Sequence, residues 1–342
     1  MFTSADPDVE IPDVAIYDYL FGSLTSDELG LLAIIDPGSG RTVNYGALRD
    51  QVNALAGALG VRGVGIGTVV GLMSPNSPDF ATAFHGALRA GATVTAINSL
   101  YTADEIETQL RDAGASWLNT VQAMLPQAIA AARACGIADD NVIVLDGEAG
   151  YADLAELLAE GRPPLDVSFD PATHVAVLTY SSGTTGIPKG VRLSHRNLVA
   201  NLQQCRVNVK LREGDRLLAF LPFYHVYGMT VLLNLALRQR ATLVTMPRFD
   251  LVDFLTNIQD YHCTHLYIAP PVAVALAKHP IVDEFDLSSV EVVFSAAAPL
   301  DGDTAEAAGR RINARVMQGY GMSELSPASI VAPYDRDDIP VS

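Results

Sequence analysis

Short apolar runs alternate along the chain with stretches in which apolar residues recur every three or four positions. The runs predict strands over 31–35, 69–73, 93–97, 117–120 and 141–145 in the first half. In the second half they predict strands over 174–180, 216–220, 241–245, 264–268, 291–294 and 315–317. Helical periodicity fills most of the gaps. Asn44 stands before Leu48, Val52, Leu55 and Leu59, which share one helical face, and is placed to cap that helix. Ser77-Pro78 opens another helix, since the serine hydroxyl accepts from free amides and proline tolerates the first position. A third helix spans 102–113 and stops before Gly114, and two more are expected over 121–135 and 153–160. Gly161-Arg162-Pro163-Pro164 reads as a linker. Strand–helix alternation at this spacing predicts an α/β fold of two doubly wound, mostly parallel sheets with helices on both faces. The expected division is a first sub-domain over 1–170 and a second over 171–342. In such sheets ligands gather beyond the carboxyl ends of the strands, which directs attention to the loops after residues 180, 220, 294 and 317.

Composition narrows the class. Apolar residues make up 49% of the 342, enough to offset the ordering entropy that keeps a polar chain unfolded. The net charge of −17 argues against a broad basic face for nucleic acid or an anionic membrane, yet leaves room for a local anion site. The apolar stretch 226–237 falls short of the roughly twenty residues of a membrane span. Residues 1–10 carry Asp6, Asp8 and Glu10 and no basic residue, unlike a secretory signal, so a cytoplasmic location is expected. Three cysteines, Cys135, Cys205 and Cys263, suggest reduced thiols.

The loop after residue 180 reads Tyr180-Ser181-Ser182-Gly183-Thr184-Thr185-Gly186-Ile187-Pro188-Lys189-Gly190. Glycines let backbone amides approach an anion, hydroxyls donate to phosphate oxygens, and Lys189 adds a compact charge. It is not the common P-loop, whose lysine follows a glycine directly. A plain flexible turn would need neither the buried strand before it nor the lysine. After 317 comes Gln318-Gly319-Tyr320-Gly321-Met322-Ser323-Glu324. Tyr320 can present a ring to a base, Ser323 a hydroxyl to phosphate, and Glu324 a hard oxygen to Mg2+. The loop after 220 holds His225, which at a strand end is weighed toward function although single histidines near aromatics are often structural. The run Ser295-Ala296-Ala297-Ala298-Pro299-Leu300 would let a flat ring lie on the backbone, or simply packs closely. Tyr261-His262-Cys263-Thr264-His265 lacks the four ligands of structural zinc. Asp335-Arg336-Asp337-Asp338 reads as a solvated loop.

Taken together, the four loops resemble those of the adenylate-forming superfamily: acyl-CoA synthetases, luciferases and peptide-synthetase adenylation domains. The likeness is greatest to the 4-coumarate–CoA ligase and fatty-acyl-CoA ligase branch, and segments 70–93 and 98–115 read like its first sub-domain. The resemblance implies a two-step ligase using ATP, Mg2+ and CoA. A small-molecule carboxylate, aromatic (4-coumarate-like) or fatty, attacks the α-phosphate, and a CoA thiol then takes the acyl group. By the same resemblance Ser181, Ser182, Gly183, Thr184, Thr185 and Lys189 hold phosphates, Ser323 touches the α-phosphate, and Glu324 holds Mg2+. Ala297, Gln318, Gly319 and Tyr320 frame adenine. His225 orients the carboxylate, with Lys189 and Glu324 completing the catalytic set. Tyr227, Met229, Ser326, Pro327 and Ala328 line the acyl pocket, and Arg248 lies near the CoA phosphates.

Three positions depart from the family pattern without removing a needed group: Ser323 for a commoner threonine, Ala296 for a glycine, and Asn98-Ser99 for Asn-Pro. The resemblance also implies further sequence beyond Ser342: an aspartate for the ribose, a hinge, and a mobile C-terminal lid domain carrying a lysine used in adenylation. The chain thus reads as an N-terminal large domain with the lid domain absent, and with impaired turnover alone. A fatty-acyl-AMP ligase serving a carrier protein, or a non-catalytic nucleotide- or acyl-binding fragment, are the alternatives.

Overall fold

The computed structural model describes residues 8–181, 189–332 and 334, with Ser181 described by its backbone alone. The strands in chain order are β1 (Leu32–Asp36), β2 (Arg41–Asn44), β3 (Val69–Leu72), β4 (Thr93–Ala96), β5 (Trp117–Thr120), β6 (Val142–Val144), β7 (Ala152–Asp153), β8 (Val175–Ser181) and β9 (Lys189–Ser194). They continue as β10 (Arg216–Ala219), β11 (Thr242–Thr245), β12 (His265–Ile268), β13 (Val292–Ser295), β14 (Arg315–Gly321) and β15 (Ala328–Val331). Among the described residues they form a seven-stranded sheet, β7-β6-β5-β3-β4-β8-β9, and an eight-stranded sheet, β15-β14-β13-β12-β10-β11-β1-β2. Pairing is parallel except at β1/β2, β8/β9 and β14/β15. The two mostly parallel sheets of the sequence reading are therefore present.

Sheet membership does not follow the expected division at residue 170. β1 and β2 pair into the second sheet, because β1 finds β11 as a parallel partner at Ile34↔Leu243. β8 and β9 pair into the first, through Val94↔Val177. The chain thus crosses between the sheets twice. Patterning also leaves β2, β7, β9 and β15 unpredicted. β2, β9 and β15 are antiparallel edge strands and β7 has two residues, so none carries the continuous apolar run of a buried parallel strand.

Alternating strand positions serve different cores. Leu217, Leu243, Val292 and Phe294 of the second sheet join Val70, Leu72, Val94 and Val177 of the first in one shared cluster. Helices Tyr45–Val61, Pro78–Arg89 and His195–Asn208 fill that central layer. Leu218, Val244, Leu266 and Val293 face the opposite way, onto helices Leu251–Tyr261, Pro270–Lys278 and Gly302–Ile312. Met73, Ile97, Leu118 and Val142 do the same beneath Ala103–Ala113 and Leu125–Ala134. Helices therefore cover both faces of both sheets.

The helix starts follow local chemistry. The Asn44 side chain accepts from Ala47 N at 2.7 Å, and Ser77 Oγ accepts from Phe80 N at 3.1 Å with Pro78 in the first turn. Thr102 and Glu105 form a capping box, and Gly114 closes that helix at φ 66°. Leu48, Val52, Leu55 and Leu59 are all fully buried. Replacing Leu55 by alanine should cost about 2–5 kcal/mol in denaturant unfolding, against about 1 kcal/mol for Ser77→Ala; equal small losses would contradict this layering.

Two histidines are buried without charge. His85 packs edge-on against Phe21 and Phe84, both ring nitrogens lack partners among the described residues, and burial pushes its pKa down to about 3. His195 stacks on Phe169, accepts from Ile16 N at Nδ1, and is pushed down to about 3 by burial and then by His174. Since the unfolded chain protonates these rings near pH 6.5, it binds more protons than the fold between about pH 6.5 and pH 3. Stability should fall as pH drops through that window, by about 2 kcal/mol per ring at pH 5. The urea midpoint of His85→Leu should be less acid-sensitive than that of the parent; parallel pH profiles would refute the assignment.

Candidate active site

In each sheet one strand marks a reversal of strand order. β4 and β5 flank β3, and β11 and β12 flank β10. Crevices at such reversals are where ligands lodge in open α/β sheets. The loops leaving β3 and β10 meet through one side chain. Asn76, 5% exposed, donates from Nδ2 to Ala219 O at 2.8 Å and to Leu221 O at 2.9 Å. Its Oδ1 accepts from Phe223 N at 2.8 Å. A residue of the loop leaving the first sheet thereby sets the backbone path that leads to His225, beyond the second.

Beside this junction lies a cavity of about 560 Å³. Its walls come from the start of β9, the loop and π-helical turn after β10, the ends of β13 and β14, the turn that follows, and β15. Lys189, His225, Tyr227, Ala297, Gly319, Tyr320, Ser323, Glu324, Pro327 and Ala328 all line it. Residues from four loops far apart in sequence thus meet at one hollow.

Other expected residues stand elsewhere. Met229 is fully buried in the core and does not reach the cavity. The Gln318 side chain turns to Leu300, accepting from its N–H at 3.2 Å and donating to its carbonyl at 3.0 Å. Ser326 is 4% exposed behind the wall at φ 77°. Arg248 is exposed outside the lining. Ser182, Gly183, Thr184 and Thr185 lie outside the described residues, as do Asp335-Arg336-Asp337-Asp338 and the side chain of Ser181. The rejected His/Cys cluster has structural partners: Cys263 is buried, and His265 Nε2 donates to Lys210 O at 3.0 Å.

The frame around the hollow is firmly tied. Ser181 and Lys189 are cross-strand partners, so the hairpin of β8 and β9 closes at the two ends of the hydroxyl-rich loop. Tyr180, just before it, donates to Asp112 Oδ2 at 2.5 Å, and burial followed by that bond raises its pKa. Ser194 ends β9 and caps helix His195–Asn208, from which Asn201 reaches the far wall. Asn201 Nδ2 donates to Ala328 O at 2.7 Å and Leu325 O at 3.3 Å, and Oδ1 accepts from Ala328 N at 3.3 Å. One helix therefore couples the strand that starts at Lys189 to the turn that bears Glu324. That turn is tight: a Cβ on Gly321 would stand 2.1 Å from Pro327 O. Ala297 lines the cavity at φ 74°, a left-handed conformation that costs an alanine about 1–2 kcal/mol.

His225 is held in one tautomer. Tyr227 N donates to its Nδ1 at 3.2 Å, which leaves the ring proton on Nε2. Burial lowers its pKa, so the ring is a neutral N–H donor near pH 7. Tyr227 OH donates to Phe294 O at 3.3 Å, and burial holds the phenol well above its usual pKa. Cys205, Val209, Val231 and Val331 also line the cavity, and sequence reading did not single them out. Leu198, Leu202 and Cys205 recur at helical spacing on one buried stripe, the signal that could have found Cys205. Burial pushes its thiol up to about 12, so it acts as an apolar wall rather than a nucleophile.

The lining therefore divides by chemistry. Lys189, His225, Ser323 and Glu324 offer one cation, two neutral donors and one carboxylate. Cys205, Val209, Val231 and Phe294 offer an apolar surface. Among the described residues no cluster of three metal-ligating side chains exists. A lone carboxylate such as Glu324 suits Mg2+, which keeps several waters and takes its other ligands from phosphates.

Comparison with known proteins agrees with this geometry. The family model described as AMP-binding enzyme matches residues 27–341. A rice (Oryza sativa subsp. japonica) 4-coumarate–CoA ligase is 36% identical over 352 residues, covering 100% of this chain and 64% of the relative. An Arabidopsis thaliana 4-coumarate–CoA ligase is 33% identical, covering 95% and 60%. The chain thus spans less than two thirds of the length of these relatives. Among solved structures, a long-chain-fatty-acid-CoA ligase from Archaeoglobus fulgidus superposes with a TM-score of 0.89 at 25% identity, covering 100% of this chain and 72% of that one. An anthranilate CoA ligase in complex with anthranoyl-AMP gives 0.87 at 27% identity, covering 96% and 65%. On its sequence, its fold and this cavity, the chain belongs to the family of AMP-binding enzymes.

Proposed function

We propose that this chain is the ATP- and carboxylate-binding part of a carboxylate–CoA ligase. The carboxylate oxygen attacks the α-phosphorus of ATP, an acyl-adenylate forms, and pyrophosphate leaves. In the second step a CoA thiol attacks the acyl carbon, the thioester forms, and AMP leaves. The observation that carries this reading is the meeting of Lys189, His225 and Glu324 at one cavity with an apolar flank. Bringing a carboxylate onto a polyphosphate sets anion against anion, and the protein must supply compensating charge and donors.

Lys189 meets the phosphates, together with the hydroxyl-rich loop that precedes it. Glu324 would hold Mg2+, which would supply charge neutralisation at the phosphates. Ser323 donates to the α-phosphate, and Tyr320 and Ala297 take adenine. The Nε2–H of His225 donates to the acyl carboxylate, fixing the oxygen that attacks. Tyr227, Val231, Phe294 and Pro327 receive the acyl group, aromatic (4-coumarate-like) or fatty. The 4-coumarate–CoA ligases among the relatives and the anthranoyl-AMP complex favour an aromatic acid.

Isothermal titration with ATP and Mg2+ tests the nucleotide half. Binding should weaken by about tenfold or more in Lys189→Ala, and Glu324→Gln should lose most of the magnesium dependence. Unchanged binding in both variants would refute the assignment. Pyrophosphate–ATP exchange with a panel of cinnamates, benzoates and fatty acids tests the carboxylate half. Exchange should depend on the acid and fall by about 10²-fold or more in His225→Ala. Nucleotide binding with neither exchange nor binding of any acid would favour a non-catalytic binding module instead.

A further inference from the structure

We propose that Asn76 is a positioning residue that holds His225 with its Nε2–H directed to the bound carboxylate; the inference rests on the reading of His225 given above. Asn76 never reaches the cavity. Asn76 is 5% exposed and its carboxamide makes three bonds, all to backbone at the end of β10 and in the loop after it. Each bond lies between residues 219 and 223, just ahead of His225. From there the geometry passes along a short chain of contacts. His225 N donates to Pro222 O at 3.1 Å, and Met229 N donates to His225 O at 2.9 Å. A Cβ on Gly228 would stand 2.1 Å from Pro222 O, so the loop and the turn after His225 lie in backbone contact. That packing places Tyr227 N where it donates to Nδ1 at 3.2 Å. The tautomer of His225 is therefore a consequence of a backbone path, and Asn76 is what ties that path to the other sheet.

Backbone bonds of this kind are strong only when fully made. Removing the carboxamide strips Leu221 O and Phe223 N of the bonds that Asn76 supplies, whereas Ala219 O keeps its bond from Met246 N at 3.1 Å. The strand end stays in its sheet while the loop beyond it is freed. The effect should therefore fall on His225 rather than on the nucleotide.

Two readouts on the full chain test this. In the ¹⁵N-histidine-labelled protein, long-range ¹H–¹⁵N spectra should show His225, assigned by its absence in His225→Gln, as the Nε2–H tautomer. Asn76→Ala should average its two nitrogen signals. In pyrophosphate–ATP exchange with 4-coumaric acid, Asn76→Ala should lower kcat/KM for the acid by about tenfold, with the Kd for ATP within about twofold. The double variant Asn76→Ala/His225→Gln should be no slower than His225→Gln alone, because Asn76 acts through that ring. A parent-like His225 spectrum in Asn76→Ala, or multiplying losses in the double variant, would overturn the proposal. Should Asn76→Ala fail to fold, amide exchange in the parent decides: Phe223 N–H as slow as the amides of β10 supports the clamp, and exchange at loop rates overturns it. If the parent binds neither ATP nor any acid, the ligase reading fails while the nitrogen spectra still decide the role of Asn76.

Discussion

A single buried carboxamide joins the loops where the two sheets reverse their strand order. Asn76 imitates a peptide unit, donating twice and accepting once, at the end of β10 and against main chain beyond it that has no strand neighbour of its own. Burying such a group is costly unless every bond is made, and here both donor hydrogens and the oxygen are used. The consequence reaches the cavity, because the backbone fixed by Asn76 runs directly into His225. The two sheets already share one apolar core, but apolar contact is non-directional and sets no register between loops. The hydrogen bonds set it.

A second carboxamide does comparable work on the opposite wall. Asn201 joins the helix after β9 to the turn after β14, so Lys189 and Glu324 stand on one connected frame. Between these joints the cavity keeps a flexible chemistry on a stiff scaffold: one cation, one carboxylate, two neutral donors and an apolar flank. The left-handed Ala297 belongs to the same pattern. Backbone strain persists where the surroundings over-determine it, and this residue lies in the cavity wall.

Much of the architecture was legible from patterning. Buried parallel strands are covered on both faces, so β3, β4, β5, β10 and β11 read as apolar runs and were predicted within a residue or two. Helix starts were legible because Asn44, Ser77 and Thr102 satisfy free amides by local bonds alone. The edges were not. β2, β9 and β15 pair on one side only, carry polar residues such as Lys189 and Arg192, and gain their strand state from a partner rather than from their own sequence. Sheet membership was not legible for a related reason: which sheet a strand joins depends on which edge it meets in space.

The sequence by itself determined the buried parallel strands, the capped helices and the residue chemistry of the four loops, because propensity, capping and composition act within a few positions of the chain. Only the tertiary structure decided that those loops share a cavity, that Cys205 joins its wall while Gln318 and Met229 turn away, and that Asn76 and Asn201 hold the rest in place. Each of those facts depends on contacts between residues far apart in the chain, with Asn76 lying more than a hundred positions from the loop it grips. Local preferences carry no record of such partners.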